Sequence, residues 1–315
     1  MRRWLWLGIL LAWFAWPQQM VHAAISDLSV SPVTTRQPSD RFEVSGSAGS
    51  KQTLTLSVAN FGYAAKQIVI KPLNAMTTAS GTLGYSASRP LAAATSVTQL
   101  VKSQTLTLLP QTSKEVAIPI TLPAIAFDGE VLGAIAVQID QSLLPEDRGQ
   151  ITVPVAITMT DRLPEFNPTV GTPISSMDKQ HPWLTIPVEN RQARTMRHVK
   201  VTLKVQEQHW WNRFVAPTVQ QVTMTNVTIA PNSVLPLKVK APGNRFESSY
   251  QVSGTIQAGS QTWPIKQVLH PNAEAIADFN RDLPWPWTIW ATLIGVFLGI
   301  VVLVAVIRYW WLFRK

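Results

Sequence analysis

The side chains able to do chemistry are few and scattered. Five histidines occur, and the four beyond the N-terminal segment are His181, His198, His209 and His270. None belongs to an H-x-H or H-E-x-x-H pair, the spacing that puts two imidazoles on one metal ion, so no metal site is assigned. Cysteine is absent, which removes thiolate metal sites and thiol nucleophiles together. No G-x-S-x-G elbow presents a serine. The run Gly46 to Lys51 lacks P-loop spacing and reads as a solvated turn. Asp128 and Glu130 flank Gly129, and carboxylates two apart on a strand share a face, as a glycosidase pair could. A polar turn entering the apolar run from Val131 accounts for them more simply. Asp140, Glu146 and Asp147 beside Arg148 are too sparse in oxygen for calcium. No catalytic, metal-binding or cofactor-binding residue is assigned, and no cofactor is expected.

Two groups suit binding instead. Gln208-His209-Trp210-Trp211-Asn212 places Trp210 and Trp211 together in a polar setting. Paired aromatics in a loop stack on sugar rings, anchor a protein partner or touch a membrane interface; they also cover a core. The second group is Arg191, Arg194, Arg197, Lys200 and Lys204. Lys200 and Lys204 share a strand face, giving either a basic stripe for anionic polymers and acidic partners or a plain solvated face.

The elements that must carry these residues are short strands. Thr53 to Val58 alternates polar and apolar residues with period two, as a half-buried strand does. The same pattern recurs over 67–71, 105–108, 115–122 and 151–160, while 131–139 is more continuously apolar and reads as a central strand buried on both faces. Prolines 72, 110, 119, 123 and 154 are expected at strand ends or edges. Residues 75–94, rich in Ala, Ser, Thr and Gly, read as a long loop with a short strand near Tyr85. Pro164, Pro168 and Pro173 mark a boundary, and a second series of six or seven strands follows. The segments L-S-V-A-N ending at Asn60 and I-P-V-E-N ending at Asn190 echo each other. Two immunoglobulin-like β-sandwich domains in tandem are expected, over 24–160 and 161–270, with a stalk at 271–286.

Both ends point to a membrane. Arg2 and Arg3 precede the apolar run Trp4 to Trp16, and Val21-His22-Ala23 supplies small residues for cleavage; 1–23 reads as a signal peptide. Trp287 to Ile307 carries no charge and would span about 31 Å as a helix, the thickness of a bilayer core. Trp285, Trp287 and Trp290 stand at one end. Tyr309, Trp310 and Trp311 stand at the other with Arg308, Arg314 and Lys315, so the positive-inside rule places residues 308–315 in the cytoplasm as a short tail. Gly295 and Gly299 form a G-x-x-x-G pair, a helix-packing motif that also arises by chance. Five of the 27 basic residues lie in leader and tail, so the formal +9 falls to about +4 between them. That is too little to imply nucleic acid.

Several stretches in order resemble the WxL-interacting proteins of Gram-positive bacteria. In the first domain these are S-K-Q-T-L-T-L-S-V-A-N from Ser50, N-A-M-T-T-A-S-G-T-L-G-Y-S from Asn74 and F-D-G-E-V-L-G-A-I from Phe127. In the second they are F-N-P from Phe166, V-E-N from Val188, A-P-N-S from Ala230 and A-E-A-I-A-D-F-N from Ala273. The resemblance implies a non-enzymatic, single-pass surface protein of the cell membrane. It implies peptidoglycan as partner of the first domain, and WxL-domain surface proteins or host extracellular proteins as partners of the second. A general β-sandwich adhesin or scaffold without wall affinity, and a wall-processing enzyme, are the competing classes.

Overall fold

The computed structural model describes residues 27–34, 39–139, 150–178, 181–208, 212, 216–243, 245–281 and 287–313. The expected leader at 1–23, the Trp210-Trp211 pair and the acidic loop from Asp140 to Arg148 lie outside the described residues. The chain divides into two compact units. The first comprises residues up to Ala75 together with Tyr85–Pro164; the second comprises Met76–Gly84 and the chain from Glu165 onward.

The strands of the first unit are β1 (Leu28–Val33), β2 (Phe42–Ser45), β3 (Lys51–Asn60), β4 (Lys66–Thr77, whose last two residues count with the second unit), β5 (Leu83–Ser86, shared in the same way), β6 (Gln104–Leu108), β7 (Thr112–Thr121), β8 (Glu130–Ile139) and β9 (Gln150–Thr158). One sheet has the order β1–β3–β7. The other runs β2–β9–β8–β4–β5, with β6 also paired to β4. The β1–β3, β3–β7, β4–β6, β4–β8 and β8–β9 pairs are antiparallel, and the β2–β9 pair is parallel. Leu54, Leu56 and Val58 of β3 point inward, and Leu54 and Leu56 stand opposite Ile118 and Val116 of β7. Ile68 and Ile70 of β4 and Val153, Val155 and Ile157 of β9 close the same core from the other sheet. Each such side chain contributes roughly 1.5–3 kcal/mol through burial.

Strand β8 lies between β9 and β4, and Ala134 to Val137 are all fully buried, as its unbroken apolar run implies. A single helical turn, α1 (Val97–Leu100), packs there. A Cβ added at Gly133 would lie 2.2 Å from the Leu73 carbonyl oxygen and 2.6 Å from Val97 Cγ2, so only glycine fits. Pro72 is inside β4, opposite Ile135, rather than at a strand end. The pairing of β6 with β4 stops at Ile70, so one side of β4 is already unpaired where the proline lacks its N–H.

The second unit contains β10 (Thr169–Val170), β11 (Ile174–Asp178), β12 (His181–Asn190), β13 (Met196–Glu207), β14 (Val219–Ile229), β15 (Ser233–Lys240), β16 (Tyr250–Ala258) and β17 (Gln261–Leu269). Strand β12 pairs with β10 and β11 along one edge and with β15 along the other. The facing sheet has the order β14–β13–β16–β17. Between them lie Leu184, Ile186 and Val188 of β12, Leu235 and Leu237 of β15, and Val199, Val201, Leu203 and Val205 of β13. Phe166 sits edge-on to Trp263 with ring centroids 5.0 Å apart. The buried Tyr250 hydroxyl accepts a hydrogen bond from the Glu247 amide at 2.8 Å, a contact like the tyrosine corner of immunoglobulin sandwiches.

The all-β, tandem-sandwich expectation agrees with this architecture. Residues 271–286, expected as a stalk, instead contain the helix α2 (Ala273–Arg281). The Asn272 side chain caps it by accepting from the amides of Glu274 and Ala275 at 2.9 and 3.4 Å. Ile276 is buried in the second core, Phe279 packs on Phe246, and Asn280 exchanges two hydrogen bonds with the Phe246 backbone. The helix α3 (Trp287–Phe313) follows, and its segment Trp290–Trp311 is long and apolar enough to cross a membrane. Gly295 and Gly299 lie within it, with nothing within 4 Å of an added Cβ at either.

Candidate functional site

The echo between Asn60 and Asn190 has a structural counterpart. Each ends a strand, and each is fully buried although polar. Asn60 Nδ2 donates to the carbonyls of Ala64 at 2.9 Å and Leu109 at 3.1 Å, and its Oδ1 accepts from the Gly62 amide at 3.0 Å. Asn190 Nδ2 donates to the carbonyls of Arg194 at 2.8 Å and Ala230 at 2.9 Å, and its Oδ1 accepts from the Gln192 amide at 3.1 Å. In both cases the amide stitches its own turn (i+2 and i+4) to the turn that precedes the neighbouring strand. That second turn passes through a left-handed residue, Gln111 (φ 52°) or Asn232 (φ 49°). The Gln111 amide donates to Gly62 O at 3.3 Å and the Asn232 amide to Gln192 O at 3.0 Å. A buried asparagine left unpaired is costly, so satisfying its amide ties the two turns into one rigid element.

What the two frames display differs. In the first unit the side chains are Phe61, Tyr63 and Leu109, exposed by 61%, 93% and 62%. Gln111 Nε2 bonds the carbonyls of Phe61 and Gly62 as well, and the Phe61 amide donates to Asp27 O at 2.7 Å. Asp27 is half-exposed and ion-paired at 3.5 Å with Lys66, whose side chain is buried. Between the aromatics, a Cβ at Gly62 would come within 2.8 Å of Asp27 Oδ2. In the second unit the matching positions hold Arg191, Ala193 and Ala230, and Arg191 is paired with Glu189 at 2.8 Å.

The predicted basic residues separate. Arg191 is engaged in that ion pair, Arg194 is half-buried beside the Asn190 frame, and Arg197 is exposed at the start of β13. Next to it, His198 Nδ1 lies 2.7 Å from Asn226 Oδ1, and both residues have positive φ at a break in the β13–β14 register. Lys200 and Lys204 do share the exposed face of β13. Lys204 stands opposite Ser253, which stands opposite Lys266 of β17, so Lys266 joins the row. Sequence spacing alone could not find it, because the row forms across three strands. The rest of that face, Thr202, Gln221, Thr223, Thr255 and Gln257, is uncharged.

Asp128, one of the two carboxylates weighed for catalysis, is occupied in a turn: Thr160 Oγ1 donates to its Oδ1 at 2.8 Å, and the Gly129 amide donates to Arg162 O at 2.7 Å. Among the described residues no cluster of His, Asp and Glu could hold a metal ion.

The segment Met76–Gly84 meets the A-P-N-S motif inside the second unit. The Ala230 amide donates to Thr77 Oγ1 at 2.9 Å, Thr77 Oγ1 lies 2.7 Å from Ser233 Oγ, and Ser233 Oγ donates to Ala230 O at 2.9 Å. The Thr228 amide donates to Gly81 O at 2.8 Å.

Comparison with known proteins divides the chain in a similar order. Residues 31–139 match the family model described as WxL Interacting Protein, peptidoglycan binding domain, and residues 149–281 match the one described as WxL Interacting Protein, host binding domain. No curated protein matches the chain. Among solved structures, it is similar to the CsuC–CsuE chaperone–tip adhesion subunit pre-assembly complex of Acinetobacter baumannii, at 9% identity over 78% of this chain and 99% of that one, with a TM-score of 0.34. Similarity to the CupB2 chaperone of Pseudomonas aeruginosa is at 12% identity over 73% of this chain and 97% of that one, with a TM-score of 0.29. A family 123 glycoside hydrolase from Clostridium perfringens matches at 12% identity over 44% of this chain and 28% of that one, with a TM-score of 0.29. TM-scores this low carry no inference about function.

Proposed function

The chain belongs to the WxL-interacting protein family, and from that membership we propose a non-enzymatic surface protein that bridges the cell wall and a protein partner. The first unit binds peptidoglycan. The second binds WxL-domain surface proteins or host extracellular proteins. The observation that carries this reading is the ordered pair of family matches, which together cover most of the chain.

In this reading α3 is a single-pass anchor, residues 1–23 are a cleaved leader, and the Arg308, Arg314 and Lys315 end faces the cytoplasm. The tandem domains stand outside. The row Lys200–Lys204–Lys266, together with Arg197, is the basic surface offered to an acidic partner, and Trp210 and Trp211 are candidate aromatic anchors beside it in sequence. Gly295 and Gly299 offer a close-packing face for a second span.

The test uses full-length protein in detergent. It should co-sediment with purified sacculi and capture a WxL-domain protein from the same cell surface. Failure to do either overturns the reading, and a clear lytic band in a wall zymogram would move the protein to the enzyme class.

A further inference from the structure

We propose that the Phe61–Gly62–Tyr63 turn, with Leu109, is the tip by which the first unit docks on the glycan strand of peptidoglycan. This rests on the reading of that unit as peptidoglycan-binding. Three observations carry it.

First, the aromatics contribute little to the fold. Tyr63 is 93% exposed and Phe61 61% exposed, although burial is where such side chains stabilise a protein. The corner is held by the buried Asn60 and Lys66 and by the exposed Gln111, which bonds the carbonyls of Phe61 and Gly62. Second, the corresponding frame around Asn190 is held by the same asparagine hydrogen bonds but displays Arg191 and a part-buried Ala193, while Ala230, at the place of Leu109, is fully buried. The frame therefore does not require aromatics, and their presence on one copy marks a separate task. Third, the tip is rigid. Its two turns are joined by the Asn60 and Gln111 side chains, so little conformational entropy is lost when a ligand settles on it.

The size of the patch selects the occupant. Two aromatics and a leucine offer on the order of 400 Å² of apolar contact, about half of what one partner contributes to a stable protein–protein interface. That area suits one or two pyranose rings, whose axial C–H faces stack on aromatic rings. With glycine between Phe61 and Tyr63, no side chain stands between the two rings. The half-exposed Asp27 carboxylate beside the turn can accept from a sugar hydroxyl or acetamido N–H. A polymeric glycan presents the same ring repeatedly, so a weak single contact suffices.

The experiment compares full-length wild type with a Phe61→Ala/Tyr63→Ala variant in detergent. Both are sedimented with teichoic-acid-free sacculi, with and without an N-acetylglucosamine hexamer as competitor. The expected result is at least a tenfold loss of sacculus binding in the variant, an unchanged Tm, and displacement of wild type by the hexamer. Wild-type binding retained by the variant overturns the tip while leaving the peptidoglycan reading intact. Loss in the variant without competition by the hexamer overturns the glycan as occupant and points to the stem peptide. If wild type itself fails to sediment, the peptidoglycan reading falls and the tip with it.

Discussion

Thr77 and Ser233, 156 positions apart, place their hydroxyl oxygens 2.7 Å from each other in the interior of the second unit. Ser233 gives its proton to Ala230 O, so Thr77 must donate to Ser233 while accepting from the Ala230 amide. The three groups form a closed ring with no spare donor. Thr77 is fully buried and Ser233 nearly so, which makes the ring intolerant of a missing member.

Thr77→Val keeps the volume and removes the oxygen. It should destabilise the second unit by about 1–3 kcal/mol, the cost of leaving the buried Ala230 amide without its acceptor. Ser233→Ala should cost a similar amount. The double variant should cost clearly less than the two added together, because both remove one network. Urea denaturation followed by Trp fluorescence checks this, and additive costs would show that the ring is not a unit.

Asn60→Ala and Asn190→Ala should each destabilise their own unit by about 2–4 kcal/mol, since each removes the partner of an amide and of at least two carbonyls. Asn→Asp should be no milder, because a carboxylate cannot donate to those carbonyls. Hydrogen exchange at the Gly62 and Gln192 amides reads the two frames separately.

Gly133→Ala should destabilise the first unit by at least about 2 kcal/mol, because its Cβ meets the Leu73 carbonyl at 2.2 Å and that backbone must move. A scan of thermal stability that leaves the lower-melting transition unchanged would count against the close β8–β4 contact only if that transition belongs to the first unit, so the scan is paired with exchange at β4 amides.

Burial pushes the Tyr250 phenol well above its ordinary value; the hydrogen bond from the Glu247 amide opposes this, and the Glu247 and Glu207 carboxylates add to it. The fold therefore favours the neutral phenol. Its stabilisation is complete below the unfolded value near pH 10 and is lost as pH rises above it, because the unfolded chain then ionises first. Tyr250→Phe should flatten the alkaline slope of stability while lowering stability at neutral pH through loss of the Glu247 contact. An equal slope in both proteins would show that another group carries it.

Much of this fold is written in local pattern. Thr53 to Val58 alternates because β3 has one wet face and one dry face, and 131–139 does not alternate because β8 is covered on both. The echo of Asn60 and Asn190 was visible as letters, but not its role, since the bonds reach turns some 40–49 residues away. The α2 helix escaped because prolines surround it, yet Asn272 as cap and the Ile276–Phe279 spacing were available signals. Lys266 and Thr77 were beyond reach: one joins its row through cross-strand pairing, the other through a partner 156 residues on. The exposure of Phe61 and Tyr63 is a tertiary property that local pattern does not carry.

The two visits of the chain to its second unit, at Met76–Gly84 and again from Glu165, bear on how such proteins are inherited. A single recombination breakpoint near residue 164 would deliver a second module lacking nine residues, including the Thr77 hydroxyl that completes its ring. It would also leave the donor with a dangling hairpin end that has lost its bonding partners. A second unit exchanged without residues 76–84 would lack the Thr77 hydroxyl, so it needs its own version of that segment.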